Sequence, residues 1–277
     1  MKITAQDVNK LRKMTGAGMM DCKKALTETD GDFEAAIDLL RKKGQKVSAS
    51  RADREASEGA IFVQTDANGH EGVLIALNCE TDFVARNEEF QALGVEILEQ
   101  AASQNPGSID ELMALSSGDL TLGEKVIGLI GKIGEKIEIS AYERLEADKV
   151  ITYIHAGSKL GVLVALEGSN GSDVDIAGRD VAMQIAAMNP VAVDKDQVDS
   201  TTVEREIAIG REQAIAQGKP ENIVDKIAAG KLNKFFKENT LLNQTFVKDN
   251  SLTVSRYLET VKQGLTVKDF RRVSIGG

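Results

Sequence analysis

Histidine and cysteine, the side chains that most often act as bases, nucleophiles and metal ligands, are scarce in this chain. The histidines are His70 and His155, and the cysteines are Cys22 and Cys79. His70 and Cys79 could form a reactive thiolate pair if two strands brought them together. However, Cys79 ends the alternating apolar run 73–79, which is typical of the buried face of a strand, so we interpret its thiol as a core residue. Because none of the four is clustered with another, we predict no zinc site and no disulfide framework.

A glycine-rich stretch raises the possibility of a nucleotide site. Residues 128–132 read Gly-Leu-Ile-Gly-Lys, which has the glycines and the lysine of a phosphate-binding loop. The next residue is Ile133, whereas such a loop requires Ser or Thr there to hold magnesium. With no other catalytic pattern in the chain, we predict that the protein is not an enzyme.

The same stretch also has the form of a nucleic-acid-binding loop. Residues 130–137, Ile-Gly-Lys-Ile-Gly-Glu-Lys-Ile, resemble the GxxG loop with which KH domains clamp a nucleic-acid backbone. The competing interpretation is a short amphipathic helix from Glu124 to Ile133 that turns through Gly134 into a strand. A KH-like RNA-binding protein that uses the Gly131–Gly134 loop therefore stays open as an alternative function.

Composition excludes several classes of protein. The chain has 277 residues, 42% of them hydrophobic, which at ~150 residues per domain indicates roughly two domains. Its formal charge is −9, whereas a general nucleic-acid binder carries a basic excess. No apolar run approaches the ~20 residues that span a bilayer, and the N-terminal residues have no apolar signal core. We expect a cytoplasmic protein in a reducing environment, with no cofactor, no membrane association and no direct nucleic-acid partner.

The elements that must position any site begin with a small helical domain. Residues 1–46 read as three short helices. Asp32 is the expected N-cap of the third helix, and Gly44 is the C-cap expected to end it. The second helix begins with Met19 and Met20, and two adjacent side chains cannot both point into so small a core. At least one of them is therefore expected on the surface, which favours a contact with another protein.

An internal repeat predicts a duplicated core. Gly-Val-Leu-Ile-Ala-Leu at 72–77 recurs as Gly-Val-Leu-Val-Ala-Leu at 161–166, and an apolar-periodic helix that ends in Asn-Pro follows each copy. From the first glycine to that Asn, the first copy spans 33 positions and the second spans 28. The additional residues lie between strand and helix, where the segment 81–86 reads Thr-Asp-Phe-Val-Ala-Arg. A loop found in one half alone is a candidate for function.

The remaining regions complete an α+β organisation. Residues 47–58 are polar and lack apolar periodicity, so we predict a linker. Residues 59–148 form the predicted first half of the core, and 149–190 together with 240–277 form the second half. Between these parts, 191–239 read as two helices with small residues in their apolar stripes, which predicts a closely packed antiparallel hairpin that protrudes from the core.

Two long motifs resemble the signatures of bacterial elongation factor Ts. The first is Leu-Arg-Lys-Met-Thr-Gly-Ala-Gly-Met-Met-Asp-Cys-Lys-Lys-Ala-Leu at 11–26, and the second is Asn-Cys-Glu-Thr-Asp-Phe-Val-Ala-Arg at 78–86. Further similarity at 155–164 and 218–220 extends the resemblance over nearly the whole chain. It implies a ubiquitin-associated-like N-terminal domain, a two-part α+β core with antiparallel sheets, and a helical hairpin for dimerisation. It also implies an activity without covalent chemistry, the exchange of guanine nucleotide on elongation factor Tu during translation elongation.

The resemblance also implies roles for particular residues. A segment of the second motif matches the part of the family that enters beside the partner's nucleotide site and dislocates magnesium; its residues are Thr81, Asp82, Phe83 and Val84. Within that segment, Phe83 matches the aromatic ring that inserts between side chains of the partner. Arg12, Met19 and Met20 match positions that contact the partner's GTPase domain, and His155 matches a surface that faces another partner domain.

The implied partner is elongation factor Tu in its GDP-bound and nucleotide-free states, and the helical hairpin could also pair two copies of the chain. The family resemblance implies no metal or cofactor held by this protein itself. Longer family members carry an additional C-terminal helix, whereas this sequence ends at Gly277 just after its final predicted strand. The resemblance therefore does not carry a partner contact made by that helix over to this chain.

Overall fold

A computed structural model describes residues 3–276 as a chain of mixed helices and antiparallel strands. The helices are α1 (Ala5–Thr15), α2 (Met19–Glu28), α3 (Phe33–Arg51), α4 (Asp82–Ala85), α5 (Glu88–Gln104), α6 (Ile109–Ala114), α7 (Leu122–Ile133), α8 (Asp175–Met188), α9 (Ser200–Ala216), α10 (Glu221–Asn239) and α11 (Val254–Val261). The strands are β1 (Glu58–Thr65), β2 (Glu71–Cys79), β3 (Ser116–Ser117), β4 (Leu120–Thr121), β5 (Ile137–Glu146), β6 (Lys149–Ile154), β7 (Leu160–Glu167), β8 (Thr245–Phe246), β9 (Asp249–Thr253) and β10 (Thr266–Ser274). Within residues 3–276, no helix is both long and apolar enough to cross a membrane.

The N-terminal helices α1, α2 and α3 pack around a small apolar core of their own. Leu11 of α1, Leu26 of α2 and Ala36 of α3 are fully buried there. The predicted N-cap of α3 is confirmed, because the Asp32 carboxylate accepts a hydrogen bond from the N–H of Ala35 at 3.1 Å. Such a cap satisfies a backbone donor that the first helical turn leaves without an internal partner.

The predicted end of α3 at Gly44 is wrong, since the helix continues to Arg51. Gly44 is buried within the helix, where α3 crosses α7. A Cβ atom added at Gly131 of α7 would lie 2.9 Å from the Cα atom of Gly44, closer than packed carbon atoms approach. The two glycines therefore allow the helices to touch backbone to backbone, and Gly44 serves this packing instead of ending a helix. Between α3 and β1, residues 52–57 form neither helix nor strand, so the connection is shorter than the predicted linker 47–58.

The core consists of two related layers, each built around one copy of the repeat. Within the described residues, β1-β2-β5 and β10-β7-β6 form two three-stranded antiparallel sheets, with the repeated strands β2 and β7 at their centres. Helix α5 follows β2 after the short helix α4, and helix α8 follows β7; α5 and α8 each pack on the sheet that contains the preceding strand. Both helices end at an asparagine in the left-handed region, Asn105 with φ 50° and Asn189 with φ 44°. The predicted α+β class and the duplication are confirmed.

The two sheets pack against each other through the faces that α5 and α8 leave free. Leu74 and Ala76 of β2 meet Leu163 and Ala165 of β7 in this interface, so the central strands are buried on both faces. The glycine that begins each copy of the repeat lies where the two sheets approach each other most closely. A Cβ atom added at Gly72 would lie 2.5 Å from Val150 Cγ1. The equivalent atom at Gly161 would lie 2.5 Å from Ile61 Cγ2. The repeated glycine thus permits close contact between the two halves.

Helices α9 and α10 form the predicted antiparallel hairpin. Gly210 of α9 faces Ala228 of α10, and a Cβ at Gly210 would lie 3.1 Å from the Cα atom of Ala228. Ala214 and Val224 are buried in the same contact. At the base of the hairpin, a parallel bridge between Ala192 and Thr240 joins the segment before α9 to the segment after α10. Gly210 and Ala214 of α9 therefore have the packing role that their spacing predicts. On α10 the small residue in the contact is Ala228, whereas Gly230, which the spacing also places in the α10 stripe, is exposed and a Cβ there meets no atom within 4 Å.

Candidate functional site

The second sequence motif forms a short turn that presents an aromatic ring to solvent. We call residues 80–87 the Phe83 turn; it begins after β2, contains α4 and ends where α5 starts. Thr81 caps α4, while Val84 and Ala85 point inward and belong to the core under the first sheet. The Phe83 side chain points the other way and is 83% exposed. Because so little of its apolar surface is buried, this ring contributes almost nothing to the stability of the free protein, which makes it a candidate contact residue.

The start of the Phe83 turn is held by the residues just beyond α7. The Glu135 carboxylate accepts two hydrogen bonds from Thr81, one from its backbone N–H at 3.1 Å and one from its hydroxyl at 2.8 Å. In return, the Glu80 carboxylate accepts a hydrogen bond from the backbone N–H of Lys136 at 2.7 Å. Glu80 also pairs with Arg54 at 2.9 Å, which ties the segment after α3 to the same place. The segments 80–81 and 135–136 are thus joined in both directions, because the carboxylate of each accepts a hydrogen bond from a backbone N–H of the other.

The charge of Glu80 is stabilised by these contacts. Burial acts to raise the pKa of the Glu80 carboxyl, but the Lys136 N–H and the Arg54 guanidinium outweigh it and hold that pKa below its usual range. Glu80 is therefore ionised at neutral pH, and its hydrogen bonds are charge-assisted, which makes them stronger than neutral ones.

The end of the Phe83 turn is held by contacts with α5. Asn87 caps α5 by accepting a hydrogen bond from the N–H of Glu89 at 2.9 Å. The side chain of Gln91 donates to the carbonyl oxygen of Ala85 at 2.6 Å. Glu89 also forms an ion pair with Lys132, in the last turn of α7. Contacts from α5 therefore restrain the turn after Phe83, as those from Glu135 restrain it before Phe83, and the Glu89–Lys132 pair joins α5 to α7.

The exposed side of the turn also carries a charge pair. The Asp82 carboxylate lies 3.0 Å from the Arg86 guanidinium, four residues later, and both side chains are largely open to solvent. An exposed pair of this kind contributes about 0–1 kcal/mol to stability, so a docking protein could separate it at little cost. The turn therefore presents to solvent the phenyl ring of Phe83, the carboxylate of Asp82 and the guanidinium of Arg86.

The Cys79 thiol lies beneath the Phe83 turn, in an environment that makes it unreactive. Its Sγ atom donates a hydrogen bond to the carbonyl oxygen of Thr81 at 3.2 Å, and the side chain is fully buried. Burial, and then the nearby Glu135 carboxylate, raise the pKa of the Cys79 thiol to about 12. The interpretation of Cys79 as a core thiol is confirmed.

We expect Cys79 to resist alkylation in the folded protein. With a pKa of about 12, roughly one thiol in ten thousand is ionised at pH 8, and the thiolate is the reactive form. Iodoacetamide at pH 8 should therefore modify Cys79 only after denaturation, as read by mass spectrometry of the peptide that contains it. Rapid labelling of that peptide under native conditions would contradict the buried position.

The methionines predicted to contact a partner are on the surface of the helical domain. Met19 and Met20 begin α2 and are 53% and 74% exposed, and Met14 at the end of α1 is 57% exposed. Arg12 is also exposed, in the last turn of α1. The structure thus places Arg12 on the helix before the α1–α2 loop and the methionine pair directly after that loop.

His155 lies on the turn between β6 and β7, and its side chain is exposed. This turn is close to the beginning of β1, because Lys159 forms an ion pair with Glu58 at 2.6 Å. Glu58 is opposite Cys79 in the register of β1 and β2. The His155 turn and the Phe83 turn therefore lie at the same end of the paired sheets, although they come from different halves of the core.

The interpretation of residues 131–134 as a KH-like loop is wrong. Gly131 lies inside α7 against Gly44, and Gly134 ends that helix with φ 84°. The helix then leads into β5, as the competing interpretation predicts. Lys132 is paired with Glu89, and Lys136 is paired with Glu138 at 3.0 Å, so neither lysine is left for a phosphate backbone. Among residues 3–276, no group of His, Cys, Asp and Glu has a metal-holding arrangement.

Sequence reasoning missed Glu135. No local motif distinguishes this glutamate from other surface carboxylates, since its partner Thr81 is 54 residues earlier in the chain. The usable signal is the register of β2 with β5, in which Cys79 is opposite Ile137. Two residues beyond that pair, antiparallel geometry brings Thr81 next to Glu135.

Comparisons with known proteins agree over the length of the chain. A family model described as elongation factor TS matches residues 80–277. The elongation factor Ts of Amoebophilus asiaticus is 58% identical over 276 residues, which cover 100% of this chain and 100% of the relative. That of Cytophaga hutchinsonii is 57% identical over 274 residues, with 99% of each chain covered. That of Chlorobium phaeobacteroides is 45% identical over 285 residues, again with 99% of each covered.

Proposed function

The chain belongs to the elongation factor Ts family, and we infer that it is a guanine-nucleotide exchange factor for the GTPase elongation factor Tu in translation elongation. It binds the GDP-bound form of that partner, displaces the magnesium ion and promotes GDP release, after which GTP can bind. No covalent bond is made or broken in this process. The protein therefore needs a shape and a set of contacts, and it needs no catalytic base or nucleophile.

The energetic requirement is a difference in affinity. An exchange factor must bind the nucleotide-free partner more tightly than the nucleotide-bound partner, and by linkage each ligand then weakens the other by the same factor. GDP in a GTPase is held largely by magnesium and by oriented amides of the phosphate loop. A group that enters beside the metal site and moves its supporting side chains therefore weakens GDP binding.

The exposure of Phe83 on a restrained turn is the observation that carries this proposal. The ring is 83% exposed in the free protein, and hydrogen bonds before and after it hold its backbone. It can therefore be buried in the partner without unfolding this protein, with a gain of about 1.5–3 kcal/mol from removal of apolar surface from water. Asp82 adds a carboxylate next to the ring, which disfavours a nearby phosphate by charge repulsion.

Other parts of the surface would hold the partner while the turn acts. Arg12, Met19 and Met20 supply one contact region on the helical domain, for the GTPase domain of elongation factor Tu. His155 supplies another on the second half of the core, for a further domain of that partner. The α9–α10 hairpin is the part of the surface that we assign to pairing with a second copy of the chain.

Release of a fluorescent GDP analogue from purified elongation factor Tu tests this function. We expect the protein to accelerate release in a saturable manner at millimolar magnesium. Chelation of magnesium by excess EDTA should raise the spontaneous rate and reduce the additional acceleration by the protein, because both act through the metal. Release that stays at its spontaneous rate with saturating protein would refute the proposed function.

A further inference from the structure

We propose that Glu135 is a positioning residue for nucleotide exchange, acting by holding the Phe83 turn in its docking conformation. The proposal rests on the exchange function inferred above and assigns part of that function to a residue outside both sequence motifs. Glu135 acts through Thr81 and not by contact with the nucleotide or the metal.

The ring of Phe83 depends on its backbone for orientation. With 83% of its side chain exposed, Phe83 has little packing of its own to fix its direction. Its neighbours Val84 and Ala85 are anchored in the core, which fixes the side of the turn that faces inward. The direction of the ring therefore depends on the conformation of the residues immediately before it, Thr81 and Asp82.

Glu135 fixes those residues. Its two carboxylate oxygens bind the N–H and the hydroxyl of Thr81 at 3.1 and 2.8 Å, so the side chain cannot rotate without breaking one of these bonds. The same hydroxyl accepts a hydrogen bond from the N–H of Val84 at 3.4 Å, which closes the first turn of α4. Glu135 thus orients the N-cap that starts the helix bearing Phe83. A four-residue helix has no lasting stability alone, so such an external support has a large effect on it.

The end of α7 joins this support to the rest of the contact surface. Gly134 ends the helix and is followed at once by Glu135. One turn earlier, Gly131 packs on Gly44 of α3, and Lys132 pairs with Glu89 behind the Phe83 turn. The end of α7 therefore packs against the helical domain that carries Met19 and Met20 and pairs with α5, while Glu135, just beyond it, holds the start of the turn. Loss of the Glu135 contact should loosen Thr81 and Asp82 at the start of the turn while leaving these other contacts in place.

Loosened residues at the start of the turn must be ordered again when the turn docks, and ordering backbone residues costs conformational entropy. We therefore expect the Glu135→Ala variant to lower the maximal rate of GDP release about fivefold. The Glu135→Gln variant retains an acceptor for the Thr81 N–H and should recover most of the rate. Glu138→Ala is the matched control, because this neighbouring carboxylate pairs with the Lys136 side chain and forms no hydrogen bond or ion pair with residues 80–87.

A fluorescence measurement on the free protein separates positioning from general structural damage. The chain contains no tryptophan, so the Phe83→Trp variant carries a single emitter at the tip of the turn. In that background, Glu135→Ala should increase the amplitude of the nanosecond anisotropy decay about twofold, whereas Glu138→Ala should not change it. The thermal midpoint, followed by circular dichroism, should remain close to that of the parent in both cases.

Three outcomes would overturn the proposal. The first is unchanged anisotropy together with an unchanged rate of GDP release for the Glu135 variants. The second is unchanged anisotropy with slower release, which would mean that Glu135 contacts the partner directly. The third is a mobile turn with full exchange activity, which would mean that its order is irrelevant. Failure of the wild-type protein to release GDP refutes the exchange function itself, and the anisotropy of the free protein still decides whether Glu135 restrains the turn.

Discussion

Replacement of Phe83 by alanine is expected to lower the maximal rate of GDP release from elongation factor Tu roughly tenfold or more, without unfolding the protein. The ring is 83% exposed, so its removal leaves no cavity in the free protein. On docking, the lost apolar burial is about 1.5–3 kcal/mol, and each 1.4 kcal/mol corresponds to a factor of about ten. Stopped-flow release of a fluorescent GDP analogue at saturating variant measures the effect.

Ile176 provides the matched control for this experiment. It is 78% exposed at the start of α8, in the other half of the core, and is similar to Phe83 in its apolar character and exposure. Ile176→Ala should leave both the release rate and the thermal midpoint unchanged. A fully active Phe83→Ala variant would mean that the ring does not enter the partner's nucleotide site.

The second large effect is expected at the interface between the two sheets, from the substitution Gly72→Ala. The added methyl group would lie 2.5 Å from Val150 Cγ1, and Val150 is buried and branched at Cβ, so it cannot rotate away. Overpacking of this kind costs about 1–3 kcal/mol, so we expect the free energy of unfolding to fall by about 2 kcal/mol. Urea denaturation followed by circular dichroism would measure it.

A double-mutant cycle identifies the cause of that loss. Val150→Ala removes the atom that clashes, so Gly72→Ala should cost less in the Val150→Ala background than in the wild type. Gly128→Ala is the matched control, because a Cβ at this position on α7 meets no atom within 4 Å. Alanine there should be neutral or stabilising by up to about 1 kcal/mol, since it favours helix. Equal costs for Gly72→Ala in both backgrounds would refute close contact at this point.

Local signals in the sequence were reliable where the physical cause is itself local. Asp32 caps α3 because its carboxylate reaches an N–H three residues later, and any sequence with that spacing offers the contact. The alternation over 73–79 correctly indicated the inward face of β2 under α5, with Cys79 at its end. It did not show that the opposite face is also buried, because that burial requires the second sheet.

The glycines show where local reasoning failed. Gly44 and Gly131 have sequence contexts that fit a C-cap and a nucleic-acid-binding loop, yet each lies within a helix at the crossing of α3 with α7. A glycine serves equally well for a left-handed backbone or for a close approach. Which of these it serves depends on what lies opposite, and that is decided by residues far away in the chain.

Periodicity, the internal repeat and the two long motifs were sufficient to predict the class of the fold, the duplicated core, the helical hairpin and the family. The sequence also indicated the segment that carries Phe83. The three-dimensional structure was needed to show that this ring faces solvent, because Val84 and Ala85 beside it are buried in the core. It was also needed to show that Glu135 holds the turn, because the pairing of β2 with β5 brings Glu135 to Thr81. Strand pairing brings together residues that are far apart in the sequence, such as Thr81 and Glu135, which are 54 residues apart. The free energy that selects one pairing comes from the burial of apolar side chains summed over the whole sheet. No short stretch of sequence contains that sum.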